Sequence, residues 1–270
     1  MIFCDSHIHL SHSQIPKFAV NEKYFCVSSC HNLKDFLFLG RSMPSATFFD
    51  TPSIASSFAS YGIHPQAVNA SFMENQFNSE LVLIENLLKS KQITAIGECG
   101  FDFFTQEYKS TALEQEKVFD AQLNLALCYN IPLVLHLRKS IEKIFSYTKE
   151  LKKLPAVIFH SFPGTLHEAV SLKAHGVNTF FSFGKPLLNG KKSALDCVSN
   201  LPAECLLLET DAPYQTLKGE SETFPHEIKR VYEKVCELRK IPLEELSEQI
   251  FQNFCKAFLI QDFKTESVSV

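Results

Sequence analysis

Eight short apolar runs, at residues 2–9, 25–30, 58–63, 93–98, 132–136, 156–160, 177–183 and 205–211, constrain this chain more than any other feature. Each is nearly continuous in apolar character, as strands are when both faces are buried, and that happens in parallel sheets covered by helices. Segments between the runs carry helical periodicity. Thr111 and Glu114 form a candidate capping box, after which Gln115, Phe119, Gln122, Leu123 and Ala126 recur on one side. Ile228, Val231, Tyr232, Val235 and Leu238 repeat the pattern, and Leu246, Ile250, Phe254 and Phe258 begin another. Alternating strands and helices predict an α/β fold with a parallel sheet. Eight strands in about 250 residues match a closed (β/α)8 TIM-type barrel, with an open doubly wound sheet as the runner-up.

A chain of 270 residues with 45% hydrophobic content can bury a large core, and residues 1–264 are expected to form the barrel, with 265–270 a frayed tail. The longest apolar stretches fall far short of the roughly 20 residues of a membrane helix, and the N-terminus lacks a secretory pattern. A cytoplasmic location without membrane association is therefore expected, and no obligate protein partner. Nine cysteines, an odd number without a CxxC pair, are expected to be reduced core thiols. A net charge of −4 gives no global pull on a polyanion, so any phosphate affinity must be local.

The runs end in chemistry. His7 and His9 close the first, His64 follows the third, Glu98 ends the fourth, His136 the fifth, His160 the sixth and Asp211 the eighth. In a barrel the strand C-termini ring one mouth, so these groups would converge. Asp5, His7 and His9 are spaced by two, which aims all three to one face of a strand. Six protein ligands (His7, His9, Glu98, His136, His160 and Asp211) exceed what one catalytic ion with an open position uses. Two divalent ions are the economical reading: Glu98 bridges, His7, His9 and Asp211 complete one site, and His136 and His160 complete the other. This donor set suits zinc, manganese or cobalt, with magnesium also open. No GxGxxG or GxxxxGK[ST] element marks a nucleotide site.

The motifs Asp5-Ser6-His7-Ile8-His9, Gly62-Ile63-His64-Pro65, Gly97-Glu98-Cys99-Gly100-Phe101-Asp102, His136-Leu137-Arg138, His160-Ser161-Phe162-Pro163-Gly164 and Glu209-Thr210-Asp211-Ala212-Pro213-Tyr214 together resemble the TatD family of metal-dependent deoxyribonucleases, within the amidohydrolase superfamily. The resemblance implies a TIM-type barrel, a one- or two-metal centre on the ligands above, and hydrolysis of DNA phosphodiester bonds at ends or in single strands by metal-activated water. It makes Asp211 the expected base and, with Glu98, the catalytic pair. His64, Arg138 and Glu209 are candidate substrate contacts; the alternatives are a hydrogen-bonded loop histidine for His64, pairing with a neighbouring carboxylate for Arg138, and an inward position behind the ligands for Glu209. Lys139-Ser140 stands where the family carries Asp-Ala, Ser161 and Pro163 where it carries Cys and Ser, and an Arg-Asn-Glu-Pro segment after Tyr214 is missing. Hydrolysis of a small amide, lactone or phosphate ester is the alternative.

Other residues have plainer expectations. Asp102 either holds a ligand histidine or caps the next helix. Lys185, Lys191 and Lys192 form a local basic loop, either solvated or guiding phosphate, and Phe101, Phe103 and Phe104 offer rings to a base or to the core. His12, His31, His167, His175 and His226 lie outside the strand-end pattern and are expected to be solvated.

Overall fold

A computed structural model describes residues 1–14, 18–19, 21–42 and 56–260, with side chains at 40–42 and 56 excepted. All eight strands form: β1 (Ile2–Ile8), β2 (Lys23–Cys30), β3 (Ser56–Tyr61), β4 (Ala95–Asp102), β5 (Leu133–Arg138), β6 (Val157–Phe159), β7 (Thr179–Phe183) and β8 (Leu206–Leu208). Every neighbouring pair is parallel, and the hydrogen-bonded order follows the chain from β1 to β8. Helices such as Phe77–Lys89, Ala112–Tyr129, Leu166–Ala174 and Leu243–Ala257 cover the outside. This is the TIM-type barrel, and the doubly wound alternative is set aside. The tail at 265–270 lies outside the described residues.

Burial on both sides explains the strand pattern: β4 and β7 are buried at every position, and β6 and β8, three residues each, are wholly inside. β8 returns beside β1 at the mouth, where Asp211 N donates to His7 O and His9 N to Ala212 O, both at 2.9 Å. The helix Ala112–Tyr129 buries Gln115, Val118, Phe119, Gln122, Leu123 and Ala126 as its periodicity predicts. Its two glutamines are not ordinary core residues. Gln122 Oε1 accepts from Ile63 N at 2.7 Å while Gln115 Oε1 accepts from Asp102 N at 2.9 Å, which ties the ends of β3 and β4 to the helix.

Most strand bounds shift by one or two residues, and three larger departures bear on the site. Thr111 makes no capping bond, because it terminates the preceding helix Gln106–Ser110 and its hydroxyl donates to Tyr108 O; Thr165 with Glu168 forms a capping box instead. β4 continues past Glu98 to Asp102, since Gly97 and Gly100 supply an irregularity within the strand rather than its end. β8 stops at Leu208, which leaves Asp211 in the following turn at φ 57°. Six cysteines are buried, but Cys128 is exposed and Cys236 and Cys255 intermediate, so the core-thiol expectation holds only in part. Among the described residues no helix is long and apolar enough to cross a membrane.

Candidate metal centre

Each side chain reaches the mouth by its own route. The period of β1 turns Asp5, His7 and His9 inward together, and all three are buried. Asp5 stays below the centre, where it accepts from Thr210 N at 2.9 Å, Thr210 Oγ1 at 2.6 Å and Tyr24 OH at 2.9 Å; burial outweighs these bonds and raises its pKa to about 7. Glu98 depends on the glycines beside it. At Gly97 (φ 140°) and Gly100 (φ 135°) a Cβ would lie 2.4 Å from Val134 O and His136 O respectively, so only glycine lets β4 pack this closely on β5. Asp211 (φ 57°), Ser161 (φ 43°), Lys139 (φ 52°) and Gln215 (φ 53°) hold left-handed backbone around the same mouth. Such strain tends to collect at functional sites.

Glu98 is the hub. Its Oε2 lies 3.2 Å from His7 Nε2 and 3.5 Å from His9 Nε2, while its Oε1 lies 3.1 Å from His136 Nδ1 and 3.5 Å from His160 Nε2. His7 Nε2, His9 Nε2 and Asp211 Oδ1 form a triangle with sides of 3.3, 3.3 and 3.7 Å. Ligands about 2.1 Å from a tetrahedral ion are about 3.4 Å apart, so these groups are already spaced to receive one. Two imidazole nitrogens 3.3 Å apart and aimed at each other share at most one proton, whereas a cation satisfies both. The donor set therefore fits divalent ions. The six expected ligands converge.

Outer partners fix which nitrogen faces inward. His160 Nδ1 donates to Glu209 Oε2 at 3.1 Å, and His136 Nε2 to Asp102 Oδ2 at 3.3 Å, leaving His160 Nε2 and His136 Nδ1 for the centre. Asp102 thus holds a histidine; its other oxygen accepts from Phe104 N, and the next helix is capped by Thr105 instead. Against the downward push of burial, the carboxylates of Glu209, Asp211 and Glu98 raise His160 to about 10. Against the upward push of burial, His7 and His160 hold Glu98 well below the usual carboxylate range, and His160 and His9 lower Asp211. Both carboxylates are anionic at neutral pH.

Four expectations need revision. His31, which follows β2, was assigned to solvent, yet its Nε2 lies 2.8 Å from Glu98 Oε2 and its ring packs against His9 and His64. Glu209 does not face substrate: it is fully buried and occupied by His160 and by Ser161 N at 2.9 Å. Lys185 cannot guide phosphate, since it is 1% exposed and paired with Glu227 at 2.8 Å and Glu220 at 2.5 Å. Phe104 carries the Arg138 guanidinium 4.0 Å from its ring centroid, so a cation occupies the surface offered to a base. His64 is at the centre, with Nε2 3.9 Å from Glu98 Oε1; its Nδ1 accepts from Gln66 N, so Nε2 carries the proton. Arg138 lines the cavity and lies 3.6 Å from Asp102.

The centre opens into a cavity of about 680 Å³ that is also lined by Arg138, Lys139, Lys191, Tyr214 and Gln215. The sequence model of the family described as TatD related DNase matches residues 4–259. A TATDN1 homologue of Enterocytozoon bieneusi (strain H348) is 31% identical over 217 residues, 73% of this chain and 75% of that one. The 3'-5' ssDNA/RNA exonuclease TatD of Escherichia coli (strain K12) is 31% identical over 190 residues, 66% of this chain and 70% of that one. Among solved structures, the YJJV TatD homologue from Escherichia coli K12 shares the fold, with a TM-score of 0.76 at 24% identity over 96% of this chain and 98% of that one.

Proposed function

The chain belongs to the family of TatD-related DNases, and from that premise we propose that it is a divalent-metal-dependent phosphodiesterase acting on DNA ends or single strands. The observation that carries the reading is the division of Glu98, whose two oxygens face two different pairs of ring nitrogens. His7, His9, Glu98 and Asp211 would hold one ion, and Glu98, His136 and His160 a second; zinc, manganese, cobalt and magnesium suit such donors to different degrees. Bound there, the ions would lower the pKa of the attacking water from about 15.7 to roughly 7 and neutralise charge on the phosphate oxygens.

The rest falls to the protein. Asp211, anionic and at the edge of the cavity, accepts the proton of the attacking water. His64, kept neutral by burial and by His136, presents Nε2–H toward an oxygen of the scissile phosphate or its leaving group. Arg138, fixed between Asp102 and Phe104, neutralises a non-bridging oxygen. Glu209 and Asp102 act through the imidazoles they orient.

Turnover of end-labelled single-stranded DNA, covalently closed duplex and a panel of small esters and amides tests this reading at matched metal and salt. Single strands should shorten from an end, closed duplex should resist, and chelation should stop the reaction until manganese or cobalt is restored. If a small amide or lactone turns over while no DNA is cut above the Glu98→Ala background, amidohydrolase chemistry replaces the nuclease reading.

A further inference from the structure

The chain is acidic, with 30 Asp and Glu against 26 Lys and Arg, yet its cavity is not. Among the described residues that line it, Glu98 and Asp211, both in the centre, are the only acids, whereas Arg138, Lys139 and Lys191 add three cations. Elsewhere Lys185, Lys229, Arg230, Lys234, Lys143 and Lys89 each pair with a glutamate. Among the described residues no carboxylate pairs with Lys139 or Lys191. Lys139 emerges from left-handed backbone at φ 52°, with its ammonium 4.7 Å from the Phe104 centroid, beside the guanidinium of Arg138. Lys191, in the segment after β7, also lines the cavity, and partial burial holds its ammonium below the usual lysine pKa. Lys192, its neighbour, does not line the cavity.

One phosphodiester carries one negative charge, and the centre together with Arg138 already answers it. Two further cations without partners match charge that a lone ester does not bring. We propose that Lys139 and Lys191, both lining the cavity, form a second phosphate subsite, which binds the phosphate next to the scissile one and makes the substrate a strand of linked nucleotides. The inference rests on the phosphodiesterase reading for what becomes of that strand, but binding itself needs no turnover. Phe104 serves the subsite by fixing Arg138 and Lys139 through cation–π contact.

Binding of a fluorescein-labelled, phosphorothioate-linked tetrathymidylate, followed by anisotropy from about 50 to 200 mM salt, tests the subsite on the metal-loaded protein. Lys139→Asn tolerates the left-handed backbone, and Lys191→Gln keeps a long polar side chain; both positions are exposed, so the variants should fold. In the double variant Kd should rise about tenfold, and the log–log salt slope should fall by about 1.4, roughly 0.7 for each lost single-strand contact. Lys192→Gln should stay within about twofold of wild type. Unchanged Kd and slope in the double variant, or a wild type that does not bind the strand, overturn the proposal. Hydrolysis of bis(p-nitrophenyl) phosphate, assayed in parallel, judges the phosphodiesterase reading separately: if it fails while strand binding still depends on the two lysines, the subsite stands and the chemistry is reassigned.

Discussion

Around Lys185 and around Glu98, at the same end of the barrel, charge is organised in two different ways. Lys185 and Arg230 meet Glu220 and Glu227 in a network whose two cations balance its two anions, with contacts of 2.5 to 3.4 Å. Backbone amides of Leu217 and Phe224 complete the glutamates. Nothing is left over, and the network pins the segment after Tyr214 to β7 and to the helix Ile228–Arg239. Around Glu98 the anions are answered by imidazoles and the Ser29 hydroxyl, and among the described residues neither Glu98 nor Asp211 pairs with a lysine or arginine. Complete internal pairing marks a structural cluster, while carboxylates ringed by inward ring nitrogens mark a place prepared for a cation.

Glu98→Ala is the strongest way to break the contrast. Turnover should fall by more than the roughly 100-fold that loss of an outer partner costs a metal site, while a thermal melt stays near wild type. Within the same cluster, Asp211→Asn should retain most metal by elemental analysis but lose about 10²–10⁴-fold in kcat, because the amide cannot take the water proton. Full activity in Asp211→Asn would exclude it as the base. Lys185→Ala probes the other cluster: two acids lose a buried partner, and urea unfolding should show a loss of about 2–3 kcal/mol, a discounted figure because Glu220 is 27% exposed, with kcat within about twofold of wild type. Reduced turnover at unchanged stability would erase the distinction between the clusters. His31→Ala sharpens the boundary of the centre. Losing the bond to Glu98 Oε2 should weaken cobalt affinity about tenfold in a chelator competition, with partial recovery in His31→Gln; unchanged affinity would return His31 to the solvent.

Much of this was legible in the sequence. The strands announced themselves because burial on both faces removes polar alternation, and in the structure His7, His9, His160 and Asp211 lie near or just past strand ends, whereas His136 stands two residues inside the end of β5. Glu98 lies four residues inside the end of β4: Gly97 and Gly100 look like strand breakers, but they keep β4 going by admitting close backbone contact. His31 was missed although it directly follows the second run, the same placement that brought His64 to notice; without a spacing partner of the His-x-His kind it passed for a loop residue. Lys185 was misread for a different reason. Its partners lie 35 and 42 positions further on, in a segment without periodicity, and no local pattern shows which glutamate folds back onto which lysine.

The seam where the barrel closes has a consequence for how its two ends hold together. Among the described residues no strand ladder joins β8 to β1; the joint includes Asp211 N to His7 O, His9 N to Ala212 O, the Ser6 hydroxyl to Leu208 O, and the Asp5 carboxylate on Thr210. His7, His9 and Asp211 would also grip one ion, so that ion would act as a clasp on a hoop, fastening first stave to last across a loop of about 200 residues. Closing so long a loop restricts the unfolded chain much as a long-range disulfide does, and the ion's affinity would add directly to the stability of the ring. Stripped of it, the barrel should open first at this joint, so that the beginning and end of the described chain loosen together while the middle strands stay shut.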